Sequence, residues 1–355
     1  MNESEFPPEE QELPSEEQAL SLDDTAELEP TTNEVVEEQT TDELEKEPVT
    51  ETPLEIPSAE MSMEELMDSS ATIPLGLWQD EVEEEPIRAA HEIVLNRLPY
   101  IRTTSICHVG AVRERNDDSC LVFESQVGGH FKMMPFGLYI VADGMGGHAN
   151  GHMASKVASR VASHEIVENI YLPLLQDTNG GSPTPIQEVL VNAGQKANTA
   201  VYEVDIESDS GTTLTGVLLL GQRLYALHVG DSRAYIYTDG ELEQITTDHS
   251  LVQRLQEVGQ LTEDEAAFYQ YRHVLLRAVG QADEVDVDTY MRRLPKNGRL
   301  LLCSDGLCSM INDKEIHAVM AKEDGLDNTA EELFTAAIEA GGHDNITIIL
   351  VDFAF

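Results

Sequence analysis

The stretch Tyr139-Ile140-Val141-Ala142-Asp143-Gly144-Met145-Gly146-Gly147-His148 decides how the rest of the chain is read. The apolar run 136–142 is short, uncharged and rich in β-branched and aromatic residues, which predicts a buried strand. It stops at an aspartate followed by three glycines in four positions, and a helical pattern begins near Ala149. Glycine permits a sharp turn and lets another group approach Asp143 closely. A carboxylate at a strand end, in a glycine turn that opens a helix, suits the binding of a cation or a phosphate.

Outward from this stretch the grammar repeats. Asn116-Asp117-Asp118 precedes an apolar run from Cys120, Asp231-Ser232 follows one ending at Val229, and Asp305-Gly306 follows Leu300 to Ser304. Asp344-Asn345 precedes the run from Ile346 to Val351. A carboxylate beside a core strand is costly unless its charge is compensated. Five such sites, without an equal supply of adjacent Lys or Arg, predict compensation by a metal. Oxygen-only ligation selects hard cations such as Mg²⁺ or Mn²⁺ over zinc. Arg113, four residues before Asp117, is the cation best placed to hold a phosphate through two parallel hydrogen bonds.

Strands are predicted at 102–109, 118–124, 136–142, 213–220, 223–229, 232–238, 285–292, 299–303 and 345–353. Helices are predicted at 149–170, 186–206, 248–258, 313–322 and 327–340. Strands in consecutive runs with tight turns argue for antiparallel sheets with helices packed outside, not for a parallel βαβ fold.

The charge is uneven. Residues 1–85 carry 29 acidic side chains against one basic residue, Lys46, while the remaining 270 carry 38 acidic and 20 basic. The first segment cannot bury enough apolar surface to offset its ordering entropy, so a disordered acidic tail (1–90) ahead of a folded domain (91–355) is expected. Within the tail, Met61, Met63, Leu66, Met67, Ile73, Leu75, Leu77 and Trp78 form the one apolar patch that could dock on a partner. The moderately acidic domain disfavours nucleic acid and anionic membrane. No signal peptide and no apolar run near the ~18 residues of a membrane span is present, so a cytoplasmic protein is expected. Cys107, Cys120, Cys303 and Cys308 lack zinc spacing and read as reduced structural thiols.

The ordered set Arg113-x-x-Asn116-Asp117-Asp118, Asp143-Gly144-Met145-Gly146-Gly147-His148, Gly211-Thr212-Thr213, Val229-Gly230-Asp231-Ser232-Arg233, Asp248-His249-Ser250, Ser304-Asp305-Gly306-Leu307 and Gly342-His343-Asp344-Asn345 resembles the type 2C metal-dependent serine/threonine protein phosphatases, in their bacterial form. The resemblance spans about 100–353. It implies an α+β fold, a four-layer α-β-β-α sandwich of two antiparallel sheets flanked by helices, with a binuclear Mg²⁺ or Mn²⁺ centre at one end. By position, Asp143 matches the carboxylate that bridges both metals, Asp305 and Asp344 the other ligands of the first, and Asp117 with the Gly144 carbonyl those of the second. Asp231 matches a ligand of a third, weaker site shared with Asp305, and Arg113 the phosphate-binding arginine. The segment 248–275 would be a flap beside the site.

Two positions depart from the family. Asp117 stands where Glu is usual, so its shorter arm is expected to reach a metal only through water. Met145 stands where some members carry a proposed general-acid His, and His148 is expected to give outer support. The activity implied is hydrolysis of phosphoserine and phosphothreonine monoesters on proteins by a metal-activated water. The substrates would be those of a serine/threonine kinase, and the enzyme a monomer. The rival reading is a non-catalytic module of the same fold with an acidic interaction tail.

Overall fold

The computed structural model describes residues 99–127, 134–146, 150–176, 184–204, 210–266, 269–322 and 324–355. The expected tail, its apolar patch and His148 lie outside the described residues.

Two five-stranded antiparallel sheets stack face to face. The first has strand order β1 (Tyr100–His108), β12 (Ile346–Ala354), β11 (Asn297–Cys303), β8 (Arg233–Thr238), β9 (Glu241–Gln244). The second has order β10 (Asp288–Arg293), β7 (Arg223–Val229), β6 (Leu214–Leu220), β3 (Met134–Ala142), β2 (Ser119–Val127). A two-stranded ribbon, β4 (Gly144–Met145) with β5 (Gly211–Thr212), extends from the end of β3.

The central strands read as unbroken apolar runs because both of their faces are covered. In β3, Phe136, Leu138 and Ile140 point to helices, while Tyr139 and Val141 point between the sheets. In β12, Ile346, Ile348 and Leu350 meet helices, while Ile349, Val351 and Phe353 fill the inter-sheet layer. Each such side chain, when fully buried, contributes about 1.5–3 kcal/mol of transfer free energy.

The second sheet is covered by α1 (Gly151–Ile166), which continues through a π-helical turn (Val167–Tyr171) into α2 (Leu172–Gln176), and by α3 (Ile186–Val204). Ala154, Ala158, Ala162 and Ile166 recur every four residues, so α1 lays a narrow buried stripe on the sheet. The first sheet is covered by α7 (Asp313–Met320) and α8 (Leu326–Glu339), below a single turn, α6 (Asp305–Cys308). Two short helices, α4 (Leu251–Glu257) and α5 (Glu263–Ala266), lie in the long excursion between β9 and β10. The layer order is helix, sheet, sheet, helix, as expected. The sequence reading missed β9, the β4–β5 ribbon, α2, α5 and α6, each too short to carry a period.

Candidate active site

The turns at one end of the sandwich bring the predicted residues together. Arg113, Asp117, Asp143, Gly144, Asp231, Asp305 and Asp344 all line one cleft of about 590 Å³. They come from five separate connections: β1 to β2, β3 to α1, β7 to β8, and the two links at α6 and at the start of β12.

Asp143 is fixed through its backbone. Its N–H donates to Thr213 Oγ1 at 2.9 Å, and its carbonyl accepts from the Thr213 N–H at 2.9 Å and Thr212 Oγ1 at 2.8 Å. The Gly211-Thr212-Thr213 motif therefore clamps the strand end that carries the carboxylate. Gly144 must be glycine: a Cβ there would stand 2.2 Å from the Gly151 carbonyl oxygen and 2.4 Å from that of Asp117. Gly306 is equally constrained, since its Cβ would meet the Asn345 carbonyl oxygen at 1.9 Å. That contact sets Asp305 against the start of β12.

Asn345 ties the remaining loops. Its Nδ2 donates to the carbonyls of Val109 and Arg115, each at 2.9 Å, and its Oδ1 accepts from the Asp117 N–H at 2.7 Å. The sequence motif included Asn345 without assigning it this part. Asp118 was also unassigned. It is buried behind the cleft, where Oδ2 accepts from Ser304 Oγ at 2.8 Å and Thr347 Oγ1 at 2.7 Å, while Oδ1 has no partner.

The charges divide into two groups. At the rim, Arg113 Nη2 donates to Asp344 Oδ2 at 2.6 Å, and Arg115 Nε donates to Asp117 Oδ1 at 2.6 Å. The expected shortage of adjacent cations therefore holds for the other sites but not for these two. The guanidiniums reach them because the β1–β2 connection folds back over the site, which spacing along the chain does not reveal.

On the floor, Asp143, Asp231, Asp305 and Asp118 have no such partner among the described residues. Arg233, beside Asp231 in sequence, instead spends its fork on Asp248 at 2.7–3.0 Å. Burial, reinforced by Asp118, Asp305, Asp231 and Asp344, holds the Asp143 carboxyl well above the ordinary carboxylate range. Burial and Asp344 raise Asp305, whose Oδ1 is unpartnered. Burial with Asp305 and Asp248 pushes Asp231 up to about 8, and burial with Asp305 pushes Asp118 up to about 7. Carboxylates that raise one another in this way lack positive charge.

Among the described residues no three His, Cys, Asp or Glu side chains already converge tightly enough to hold a metal ion. Asp117 and Asp344 are turned toward arginines, which accounts for the open arrangement. The donor set nonetheless fits hard divalent cations. It consists of oxygens alone, on half-buried side chains, and it contains a solvent-shielded, unpartnered carboxylate oxygen on Asp305.

The flap expectation is met in part. Arg272, His273 and Leu275 line the cleft, and the segment is tied down by backbone bonds from Leu251 N–H to Val274 at 2.9 Å and from Leu276 N–H to His249 at 2.7 Å. Helix α4, capped by Ser250 accepting from the Gln253 N–H at 3.2 Å, lies on a second groove beside the cleft, not in it. Met145 lines the cleft with a thioether that cannot donate a proton.

Comparison with known proteins agrees with this geometry. The family model described as Protein phosphatase 2C matches residues 111–340. A serine/threonine phosphatase, stp, of Listeria welshimeri is 35% identical over 243 residues, covering 68% of this chain and 92% of that one. The serine/threonine protein phosphatase PstP of Mycobacterium tuberculosis is 36% identical over 245 residues, covering 68% of this chain and 43% of that one. Among solved structures, an S. agalactiae serine/threonine phosphatase superposes with a TM-score of 0.61 at 33% identity, covering 71% of this chain and 99% of that one. The catalytic domain of PstP in complex with two manganese ions superposes with a TM-score of 0.57 at 33% identity, covering 72% of this chain and 99% of that one.

Proposed function

Because the chain belongs to the protein phosphatase 2C family, we propose that it is a metal-dependent phosphatase that hydrolyses phosphoserine and phosphothreonine monoesters on proteins. The observation that carries this reading is the cleft in which half-buried, uncompensated carboxylates and Arg113 line one space large enough for a phosphorylated side chain.

Asp143, Asp305 and Asp344, with Asp117, the Gly144 carbonyl and Asp231, are the groups that would hold Mn²⁺ or Mg²⁺. When bound, such ions supply Lewis-acid chemistry, offsetting charge on the phosphoryl oxygens and acidifying water. Arg113 is assigned to the phosphate. Its fork exchanges Asp344 for two phosphoryl oxygens, an acceptor geometry that a guanidinium matches bidentately. Arg272 and His273 on the flap also line the cleft.

The substrates are read as proteins phosphorylated by a serine/threonine kinase, within a cytoplasmic signalling system, and the enzyme as a monomer. Among the described residues no helix is long and apolar enough to cross a membrane, which agrees with that placing. The chemistry is assigned to residues 91–355, since every proposed group lies between Arg113 and Asp344. A 91–355 fragment unable to hydrolyse a small chromogenic phosphoester that the full chain hydrolyses would overturn that boundary.

The test of the activity is turnover of a phosphothreonine peptide with Mn²⁺ or Mg²⁺, with and without a chelator. Chelator-sensitive release of phosphate is expected. Binding of the phosphopeptide without phosphate release at any metal concentration would favour a non-catalytic module instead.

A further inference from the structure

The four cysteines form two neighbouring pairs, and the pairs differ. Cys303 is fully buried and Cys308 turns its thiol onto the Ser304 carbonyl at 3.6 Å, with Cys303 beside it and then burial raising its pKa well above the ordinary range. Such thiols are inert. Cys107, at the end of β1, is exposed, and the inter-sheet face it shares with Thr103 looks onto β2. Thr103 bonds Glu124 and, at 3.3 Å, the Tyr139 hydroxyl. Four residues further along each strand, in opposite senses, the same crossing brings Cys107 beside Cys120. Asn116 Nδ2 also donates to Cys107 Sγ at 3.2 Å, and Thr347 Oγ1 stands 3.4 Å from it. These donors, Cys120 first, with His108 adding positive charge, hold the Cys107 thiol down to about 6. A thiolate that is exposed, hydrogen-bonded and beside a second thiol has the surroundings of a peroxide-reactive cysteine with a resolving partner.

We propose that Cys107 and Cys120 are a thiol-modification site at which peroxide forms a disulfide between the two sheets, loosening the carboxylate cluster next to it. The Cys107 thiolate attacks one peroxide oxygen, an S–O bond forms, the O–O bond breaks, and hydroxide leaves to become water. Cys120 then attacks the sulfenic sulfur, the S–S bond forms, and a second water carries off the oxygen and the thiol proton. The pair is oxidised by two electrons and one peroxide is reduced to two waters.

The link to the cleft runs through the same two donors. Asn116 Oδ1 accepts from the Asp118 N–H at 3.1 Å, and Thr347 Oγ1 donates to Asp118 Oδ2 at 2.7 Å. Drawing Cys107 Sγ toward Cys120 takes it away from Asn116 and Thr347, which together hold Asp118. Partners at this remove typically cost on the order of ten-fold when disturbed. The effect on turnover rests on the phosphatase reading, whereas the covalent chemistry does not.

The experiment treats the full-length protein with hydrogen peroxide, removes the excess with catalase, blocks free thiols and digests with trypsin. The expected product joins the peptides 103–113 and 116–132 with loss of two hydrogens. Cys303 and Cys308 should stay alkylated. In Cys120→Ser a dimedone adduct should replace the cross-link at Cys107. Turnover of the wild type should fall about ten-fold and return on adding dithiothreitol, while Cys107→Ser keeps its basal turnover and resists peroxide. Oxidation of Cys303 or Cys308 with Cys107 and Cys120 left alkylated would overturn the site, whether or not any turnover is measured. A cross-link that leaves turnover unchanged, in a protein that does hydrolyse phosphopeptide, would overturn the link to the carboxylates.

Discussion

The floor and the rim of the cleft are built from the same residue type and solve the same electrostatic problem differently. Asp344 and Asp117 sit at the rim, 32% and 20% exposed, each on a guanidinium from the β1–β2 connection. Asp143 and Asp305 sit on the floor with no guanidinium bonded to them among the described residues, the pKa of Asp143 raised by burial and by neighbouring carboxylates and that of Asp305 by burial and Asp344. A half-exposed ion pair is worth little and exchanges readily. A buried carboxylate that faces other carboxylates is held against its own preference and gains most from a divalent cation. The rim can therefore trade partners during a binding cycle, and the floor is where cation binding must be strongest.

The largest effect expected from this contrast belongs to Asp143→Asn. Turnover at saturating Mn²⁺ should fall by more than ~100-fold, beyond the usual cost of disturbing a ligand's outer partners. The same change removes a source of repulsion, so the melting temperature without added metal should stay the same or rise. Steady-state assays paired with thermal melts check both halves. Asp344→Asn should lose turnover without that stabilisation, and an equal rise in melting temperature for both variants would erase the distinction.

Arg113→Ala comes next. A charge-assisted contact to phosphate is worth on the order of 2–3 kcal/mol, which is about 30- to 150-fold in kcat/KM. The loss should appear chiefly in KM for phosphopeptide, as for a group that grips the ground state. An unchanged KM with a collapsed kcat would place Arg113 in the transition state alone.

A third measurement separates loss of fold from loss of chemistry as pH falls. His228 is buried, with Nε2 donating to the Thr247 carbonyl at 3.0 Å and Nδ1 paired with Thr215 Oγ1 at 2.9 Å. Burial, aided by His249, lowers its pKa from 6.5 to about 3. The unfolded chain therefore binds this proton first. The stability that His228 protects is fully present above pH ~6.5 and is lost progressively as pH falls toward 3, by about 2 kcal/mol at pH 5. Chemical denaturation between pH 7 and 5 should report this loss with or without Mn²⁺, and His228→Gln should flatten the slope. A slope unchanged in that variant would put the acid sensitivity in the cleft instead.

The smallest effect is expected from Arg115→Ala. Its partner Asp117 is freed at an exposed site, so the Mn²⁺ concentration for half-maximal activity should fall only by a small factor. A large change would mean that Asp117 belongs with the floor.

Much of this was legible in the chain. The apolar runs at 136–142 and 346–351, the second broken only by Thr347, marked central strands, because a strand covered on both faces has almost no polar side to show. The aspartates at their ends were legible as a group because a carboxylate beside such a run demands compensation, and the spacing of the motifs carried the family. Other features had no local signal. The ribbon of Gly144–Met145 with Gly211–Thr212 is two residues long on each side and exists only because β3 delivers Asp143 to Thr213. Asp118 could not be told from Asp117 by position, and only packing buried one and turned the other to Arg115. Nor could spacing show that Cys107 meets Cys120, since that contact depends on how two separate sheets are laid across each other. Periodicity and chemical type act between neighbours in sequence and were sufficient for strands, helices and the carboxylate set. Which charge is paired, which thiol is exposed and which loop closes on which depend on distances between residues far apart in the chain, and these arise only when the layers pack.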